Sequence, residues 1–243
     1  MKTAIVTAST KGIGKAIAMR LLNEGCFVIM NYSSDDQAAV SLKEEINEQL
    51  YDDSKFIIIK ACLSSMDGLE AYIKKINSTI ESIDYLVLNT ALTDKTEFEN
   101  ITFENWQRVL DTNVSIPFFT IQKLSHKLTN GAKIVLIGSI MGVYPHAISI
   151  AYGVSKAALH FLGKSLVKVF SKRQITINII APGFVDTTWQ ENKDTIIRRR
   201  IEDKTALHRF ASPIEVADIC SSVLRNGYIN GSIIIIDGGY CYK

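Results

Sequence analysis

The chain has 243 residues, 47% of them hydrophobic and 21% charged, which suits one large α/β domain or two small ones and allows a sizeable core. Its 27 basic and 25 acidic side chains leave a formal net charge of +2, too even for a protein that binds nucleic acid or a membrane surface by electrostatics. No apolar stretch approaches the roughly 18 residues of a membrane span, and the N-terminal run is too short for a signal peptide. Cys26, Cys62, Cys220 and Cys241 show no C-x-x-C and no histidine at zinc-like spacing, so no metal site is expected. These features together read as a cytoplasmic protein, complete from residue 1, with a small-molecule partner.

Seven short apolar runs follow in order: "TAIV", "FVIM", "FIII", "YLVL", "KIVLI", "ITINII" and "SIIIID", separated by helix-length amphipathic segments. Such alternation implies crossover connections and a parallel sheet, and runs without polar alternation imply strands covered on both faces. The expected fold is a doubly wound, Rossmann-type, seven-stranded parallel sheet with helices on both faces. No linker or repeat divides it, so residues 1–243 are expected to form a single domain. The segment 186–210 has no strand signal and is rich in charge, which makes it the candidate substrate flap.

The first turn, "TASTKGIG", lies where a strand gives way to helical spacing at Ile13, Ile17 and Leu21. Free N–H groups and the positive helix end at such a turn attract phosphate. Gly12 permits positive φ, Gly14 permits close approach, and Ala8 adds a methyl group that is expected to sit in ordinary backbone geometry. After the second strand stand Asn31 and Tyr32, with no acid before Asp35 to bond a ribose 2′-hydroxyl. Lys11 is placed to neutralise a 2′-phosphate, so NADP(H) is preferred and NAD(H) remains possible.

Further on, "NV" at Asn113 is read as the end of an amphipathic helix that begins near Thr102. The fifth strand ends at Ser139, and "AYGVSKAALHFLG" places Tyr152 and Lys156 four residues apart on one helix face. A phenol of pKa near ~10 is a poor acid at neutrality unless a neighbouring cation stabilises the phenolate, and Lys156 can supply that charge. The spacing alone is weak evidence, and each residue has a plainer explanation as a buried tyrosine, a surface lysine, a strand-end serine or a helix-capping asparagine.

Taken in order, "TASTKGIG", "DTNV", "GSIMG", "YGVSK", "APGFVDT" and "DGGY" resemble the short-chain dehydrogenase/reductases over essentially the full chain. Lys11, "MNYSS" and "SKRQITINIIAPGFVDT" make the 3-oxoacyl-acyl-carrier-protein reductases the most similar members. The resemblance implies a tetrad: Tyr152 as proton donor, Ser139 polarising the carbonyl, Lys156 tuning the phenol and holding the nicotinamide ribose, and Asn113 keeping a water in the proton relay. It also implies cofactor contacts at Thr7, Ser9, Lys11, Gly12, Ile13 and Gly14 in the first turn, and at Asn31 and Tyr32 after the second strand. The others fall on Cys62, Leu63, Asn89, Thr90, Ala91, Tyr152 and Lys156, and on Pro182, Gly183, Val185 and Thr187 after the sixth strand.

Departures from that family's pattern gather on the nucleotide side. Besides Ala8, Cys62 stands where an aspartate usually meets adenine, while Thr90 and Leu92 replace an asparagine and a glycine. A lost hydrogen bond costs on the order of 1 kcal/mol, and Leu92 is expected to point elsewhere or reshape the site. Arg173 matches a carrier-docking position, although the second arginine expected before the fifth strand is absent, with only Lys127 and Lys133 nearby. The resemblance implies reduction of a 3-oxoacyl thioester or similar β-keto compound in fatty acid or polyketide biosynthesis, possible contact with an acyl carrier protein, and a homotetramer or homodimer. An alcohol, sugar or steroid dehydrogenase and a non-catalytic NADP-binding regulator are the alternatives.

Overall fold

Each of the seven apolar runs becomes a strand, because a run that is apolar at nearly every position is buried only where both sheet faces are covered. The computed structural model, which describes residues 1–50, 53–191 and 193–242, has strands β1 Thr3–Val6, β2 Phe27–Tyr32, β3 Phe56–Lys60, β4 Ile83–Leu88, β5 Leu128–Ile137, β6 Thr176–Pro182 and β7 Ile233–Ile236. They form one parallel sheet in the order β3-β2-β1-β4-β5-β6-β7. Ile5 of β1 pairs with Ile29 on one side and Leu86 on the other. The order therefore reverses at β1, and a crevice opens there at the carboxyl ends of the strands.

The helices are α1 Gly12–Asn23, α2 Asp36–Leu50, α3 Met66–Thr79, α4 Phe103–Leu110, α5 Ile116–Leu124, α6 Ile150–Leu166, α7 Thr195–Lys204 and α8 Pro213–Arg225. On one face Ile17 and Leu21 of α1, Leu42 of α2 and Val216 of α8 pack on Val6, Val28 and Val135. On the other, Tyr72 and Ile76 of α3, Ile121 of α5 and Leu159 of α6 pack on Ile5, Leu86 and Leu136. Two apolar layers thus sandwich the sheet and hold its carboxyl edge fixed. Among the described residues no helix is long and apolar enough to cross a membrane.

One local expectation changes. The helix near Thr102 does not end at Asn113, because α4 runs into a π-helical turn, Asp111–Ser115, and continues into α5. Such turns insert one extra residue and are frequent at functional sites; Asn113 within it is completely buried. The segment 186–210, without a strand as expected among its described residues save a bridge of Val185 to Ala211 beside it, contains α7, whose first turn is capped by Asp194 accepting the N–H of Ile196 at 2.7 Å.

Candidate active site

The first turn is held by side chains beneath it. Thr7 Oγ1 accepts the N–H groups of Asn89 (2.9 Å) and Thr90 (3.1 Å), which ties β1 to β4 across the crevice. Ser9 Oγ donates to Val6 O at 2.7 Å and accepts from the N–H of Asn31 at 3.1 Å. Asn31 in turn accepts the N–H of Ala8 at 3.2 Å and donates to Ala61 O at 3.0 Å. Thr7, Ser9 and Asn31 are fully buried, so in this structure they act as struts of the turn and do not line the crevice.

Ala8 departs from expectation. Its φ is +48°, in the left-handed region, where a Cβ costs roughly 1–2 kcal/mol. The conformation is imposed from both sides: the N–H goes to Asn31, and the carbonyl accepts Asn89 Nδ2 at 2.9 Å. Gly12, at φ +53°, and Gly14 are required as expected, because a Cβ on Gly14 would lie 2.2 Å from the Ala8 carbonyl oxygen.

Above this turn lies a cleft of about 510 Å³, within the ~300–1,000 Å³ typical of cofactor and small-molecule sites. Its nucleotide end is walled by Lys11, Gly12, Ile13, Tyr32, Asn89 and Ala91, all expected there, and by Ser33, Ser34 and Asp35, which were not. Helix α1 begins with no side-chain cap, so its first N–H groups, at Gly12 and Ile13, are free at the cleft wall for a phosphate. The chemistry of this end therefore fits a dinucleotide. Lys11 is engaged in an ion pair with Asp35, whose other oxygen accepts the N–H of Ala38 at 2.9 Å and caps α2. Lys11 and that helix cap both hold the Asp35 carboxyl below its usual range.

Cys62, Leu63 and Thr90 do not line this cleft. Leu63 is in the core, Cys62 Sγ lies 3.0 Å from Ser64 Oγ, and the Thr90 hydroxyl is buried without a partner. Hydrogen bonds from Ser64 and Ser33 lower the Cys62 pKa. Leu92, expected to point elsewhere or reshape the site, is not on the cleft wall and is clasped through its backbone. Asn113 Oδ1 accepts its N–H at 2.7 Å, and Asn113 Nδ2 donates to its carbonyl at 2.8 Å.

The same Nδ2 donates to Ser155 Oγ at 2.9 Å, and that hydroxyl donates to the carbonyl of Tyr152 at 2.7 Å. Asn113 therefore joins the β4 loop to the helix that carries Tyr152. Ser139, Tyr152 and Lys156 meet at the far end of the cleft, beside Pro182, Gly183, Val185 and Thr187 from the β6 loop. Tyr152 is partly exposed on the wall; desolvation of its hydroxyl pushes the pKa up to about 12, and a hydrogen bond with Ser139 moderates the rise.

Lys156 is 1% exposed, stands 5.5 Å from the centre of the Tyr152 ring and donates to Ile137 O at 2.7 Å. Burial pushes its pKa down to about 7. Burial thus acts on both groups in the same sense, disfavouring the charged form of each.

The segment 186–210 closes one side. Trp189 stands edge-on to Tyr152, with ring centroids 6.3 Å apart, and Gln190 beside it has a buried, unpartnered Oε1. Arg198 braces the segment from within, pairing with Asp186 at 3.0 and 3.1 Å, bonding Glu202 and stacking on Phe210 at 4.4 Å. Arg173 is not a free docking residue, because its guanidinium donates to the carbonyls of Ser125 and Leu128. His146 accepts the N–H of Ile148 at 3.1 Å within its own loop.

A polar residue that the motifs missed is His160, buried next to Ser139. The signal was present, since residues 152, 156 and 160 share one helical face.

Residues 2–196 match the short chain dehydrogenase family. The 3-oxoacyl-[acyl-carrier-protein] reductase FabG of Aquifex aeolicus is 30% identical over 244 residues, covering 98% of this chain and 96% of that protein. Glucose 1-dehydrogenase 2 of Bacillus subtilis is likewise 30% identical, over 98% of this chain and 94% of its own. Among solved structures, the Pseudomonas aeruginosa RhlG/NADP active-site complex superposes with a TM-score of 0.90 at 28% identity, covering 98% of this chain and 96% of that one. A uniform match in length, topology and motif order leaves one conclusion: this chain belongs to the short-chain dehydrogenase/reductase family and is an NAD(P)-dependent oxidoreductase acting on CH–OH groups.

Proposed function

We propose that the protein is an NADPH-dependent carbonyl reductase acting on a 3-oxoacyl thioester or a similar β-keto substrate. The observation that carries this reading is the meeting of Ser139, Tyr152 and Lys156 at one end of a cleft whose other end offers free helix N–H groups and Lys11. The nicotinamide, when bound, supplies hydride to the carbonyl carbon. Tyr152 gives its phenolic proton to the carbonyl oxygen, so an alcohol forms and the phenolate is reprotonated from solvent. Ser139 donates a hydrogen bond to the same oxygen and draws charge onto it. Lys156, charged when its surroundings are polar, favours the phenolate; Asn113, its side chain bonded to Leu92 and Ser155, fixes the backbone around the site.

NADP(H) is favoured over NAD(H) by Lys11, Tyr32, Ser33 and Ser34 at the ribose end, with Asp35 already committed to Lys11 and to the cap of α2. The acyl thioester is favoured by the FabG relative, and a sugar by the glucose dehydrogenase at the same 30% identity. The reading keeps a β-keto thioester first and an alcohol, sugar or steroid as the alternative, while a non-catalytic regulator would have no use for an acid and a cation at one wall. A cytoplasmic homotetramer belongs to the same reading, because β7 is an outer strand with Ile235 39% exposed, and an apolar edge needs cover. An acyl carrier protein would meet the exposed Arg199 and Arg200 of α7, since Arg173 is bonded inward.

The test is the initial rate of NADPH and NADH oxidation with a short 3-oxoacyl thioester and with glucose, wild type beside Tyr152→Phe. Loss of general acid chemistry predicts a fall in kcat of about 10³-fold with NADPH binding intact. Turnover that survives Tyr152→Phe would remove the proposed acid, and no NADPH binding by calorimetry would remove the dinucleotide reading.

A further inference from the structure

Helix α6 carries a polar side chain one turn beyond Lys156. His160 is 3% exposed and does not line the cleft. Its Nε2 accepts the backbone N–H of Ser139 at 3.3 Å, while its Nδ1 is buried without a partner. The glycines flanking Ser139 are what admit the ring. A Cβ on Gly138 would lie 2.2 Å from Nε2, and one on Gly142 would lie 2.8 Å from Cε1. Within the turn so formed, Ser139 Oγ accepts the N–H of Met141 at 3.2 Å.

We propose that His160 is a positioning residue that holds Ser139 against Tyr152 by accepting the serine N–H, and that it does so as the neutral tautomer protonated on Nδ1. The proposal rests on the reductase reading, which makes Ser139 the group that meets the substrate oxygen. An acceptor at Nε2 needs its lone pair, so the ring proton must reside on Nδ1. A leucine would fill this space without burying an unpaired N–H, which is costly; what leucine lacks is the acceptor.

The charge logic agrees. Lys156 and Lys164 on the same helix are the cations acting on the ring, and the groups packed against it from other elements, Gly138, Gly142 and Ile179, carry no charge. Burial first, and the two lysines second, hold the imidazole pKa down at about 4, so the neutral form persists through the physiological range. Protonation of Nε2 would set two donors against each other and place a second cation beside Lys156.

The experiment compares wild type, His160→Leu and His160→Gln in kcat, KM, NADPH binding and pH profile, with ¹⁵N NMR of the imidazole in wild type. The expected result is a kcat at least tenfold lower in the leucine variant with NADPH affinity within twofold of wild type. Glutamine, whose amide oxygen can take the Nε2 place, restores most of it. Wild type loses kcat on an acid limb centred near pH 4, where the imidazole charges, and the glutamine variant lacks that limb. Full kcat in a folded leucine variant, glutamine no better than leucine, or a ring protonated on Nε2 overturns the proposal. If the leucine variant does not fold, an acid limb unchanged in His160→Gln overturns it by itself. The tautomer is read without turnover, so an inactive wild type with the Nδ1 proton in place would count against the reductase reading and not against the hydrogen bond.

Discussion

The two ends of the cleft are built from different parts of the chain's chemistry. At the nucleotide end the turn beneath the cleft is shaped through backbone, with free N–H groups at Gly12 and Ile13, a left-handed peptide at Ala8 and, off the wall, a loop at Leu92 gripped by its N–H and carbonyl. At the catalytic end it consists of side-chain atoms in fixed, desolvated positions: a phenol, a serine hydroxyl and an ammonium. A backbone path survives a change of side chain, whereas a functional atom does not. This accounts for the tolerance of the departures at positions 8 and 92, whose backbone is held by Asn31, Asn89 and Asn113, whereas Cys62 and Thr90 lie off the cleft wall.

The contrast is broken most severely at Lys156. Lys156→Met should lower kcat at least about 100-fold, because the phenolate loses its cation. The folded protein should nevertheless become more stable near neutrality, since a buried ammonium is replaced by an apolar chain. The pH dependence carries the sign. The folded pKa of about 7 lies below the ordinary 10.5, so between these values the unfolded chain holds a proton that the folded one does not. Wild-type stability therefore rises through that window, and the advantage of the methionine variant is largest at pH 7 and below and closes toward pH 10.5. The hydrogen bond lost at Ile137 O trims the gain to a Tm rise of about 2–4 °C. A melting curve lower than wild type at pH 7 and parallel to it at all pH values would contradict this account.

That side-chain character also decided what the sequence disclosed. The strands were legible because a parallel sheet covered on both faces leaves no polar alternation, and each apolar run became a strand. Ser139, Tyr152 and Lys156 were legible from the ordered motifs of the family resemblance, the spacing of Tyr152 and Lys156 being weak evidence alone. What stayed hidden depends on contacts between distant segments. The continuation of α4 through Asn113 follows from the bonds of that residue to Leu92 and Ser155, 21 and 42 positions away. The clasp on Leu92 stayed hidden for a related reason, since a residue name does not reveal that its N–H and carbonyl are both bonded to Asn113. The backbone strain at Ala8 was missed because it is imposed by Asn31 and Asn89, 23 and 81 residues on.

A smaller effect sharpens the comparison at the ribose end. Asp35→Asn keeps an oxygen for the Ala38 N–H but removes the charge that holds Lys11. NADP(H) should then bind roughly threefold to fivefold more tightly, the scale of an exposed ion pair, with NAD(H) unchanged. Calorimetry with both cofactors measures this directly. An equal shift for the two would mean that Lys11 does not address the 2′-phosphate.

The smallest effect expected is at Ala8, where the backbone argument is most exposed to refutation. Glycine there removes the left-handed penalty of roughly 1–2 kcal/mol, but it also enlarges the entropy of the unfolded chain by roughly 0.5–1 kcal/mol. The net change should be a stabilisation of about 0.5 kcal/mol, read as a small shift of the urea midpoint with an unaltered slope. Because Asn31 and Asn89 already hold the peptide in place, Ala8→Gly should leave kcat and NADPH affinity within twofold of wild type. A large gain in NADPH affinity would show instead that the methyl group keeps the cofactor from its full approach, and the turn would no longer qualify as a surface whose side chains are free to vary.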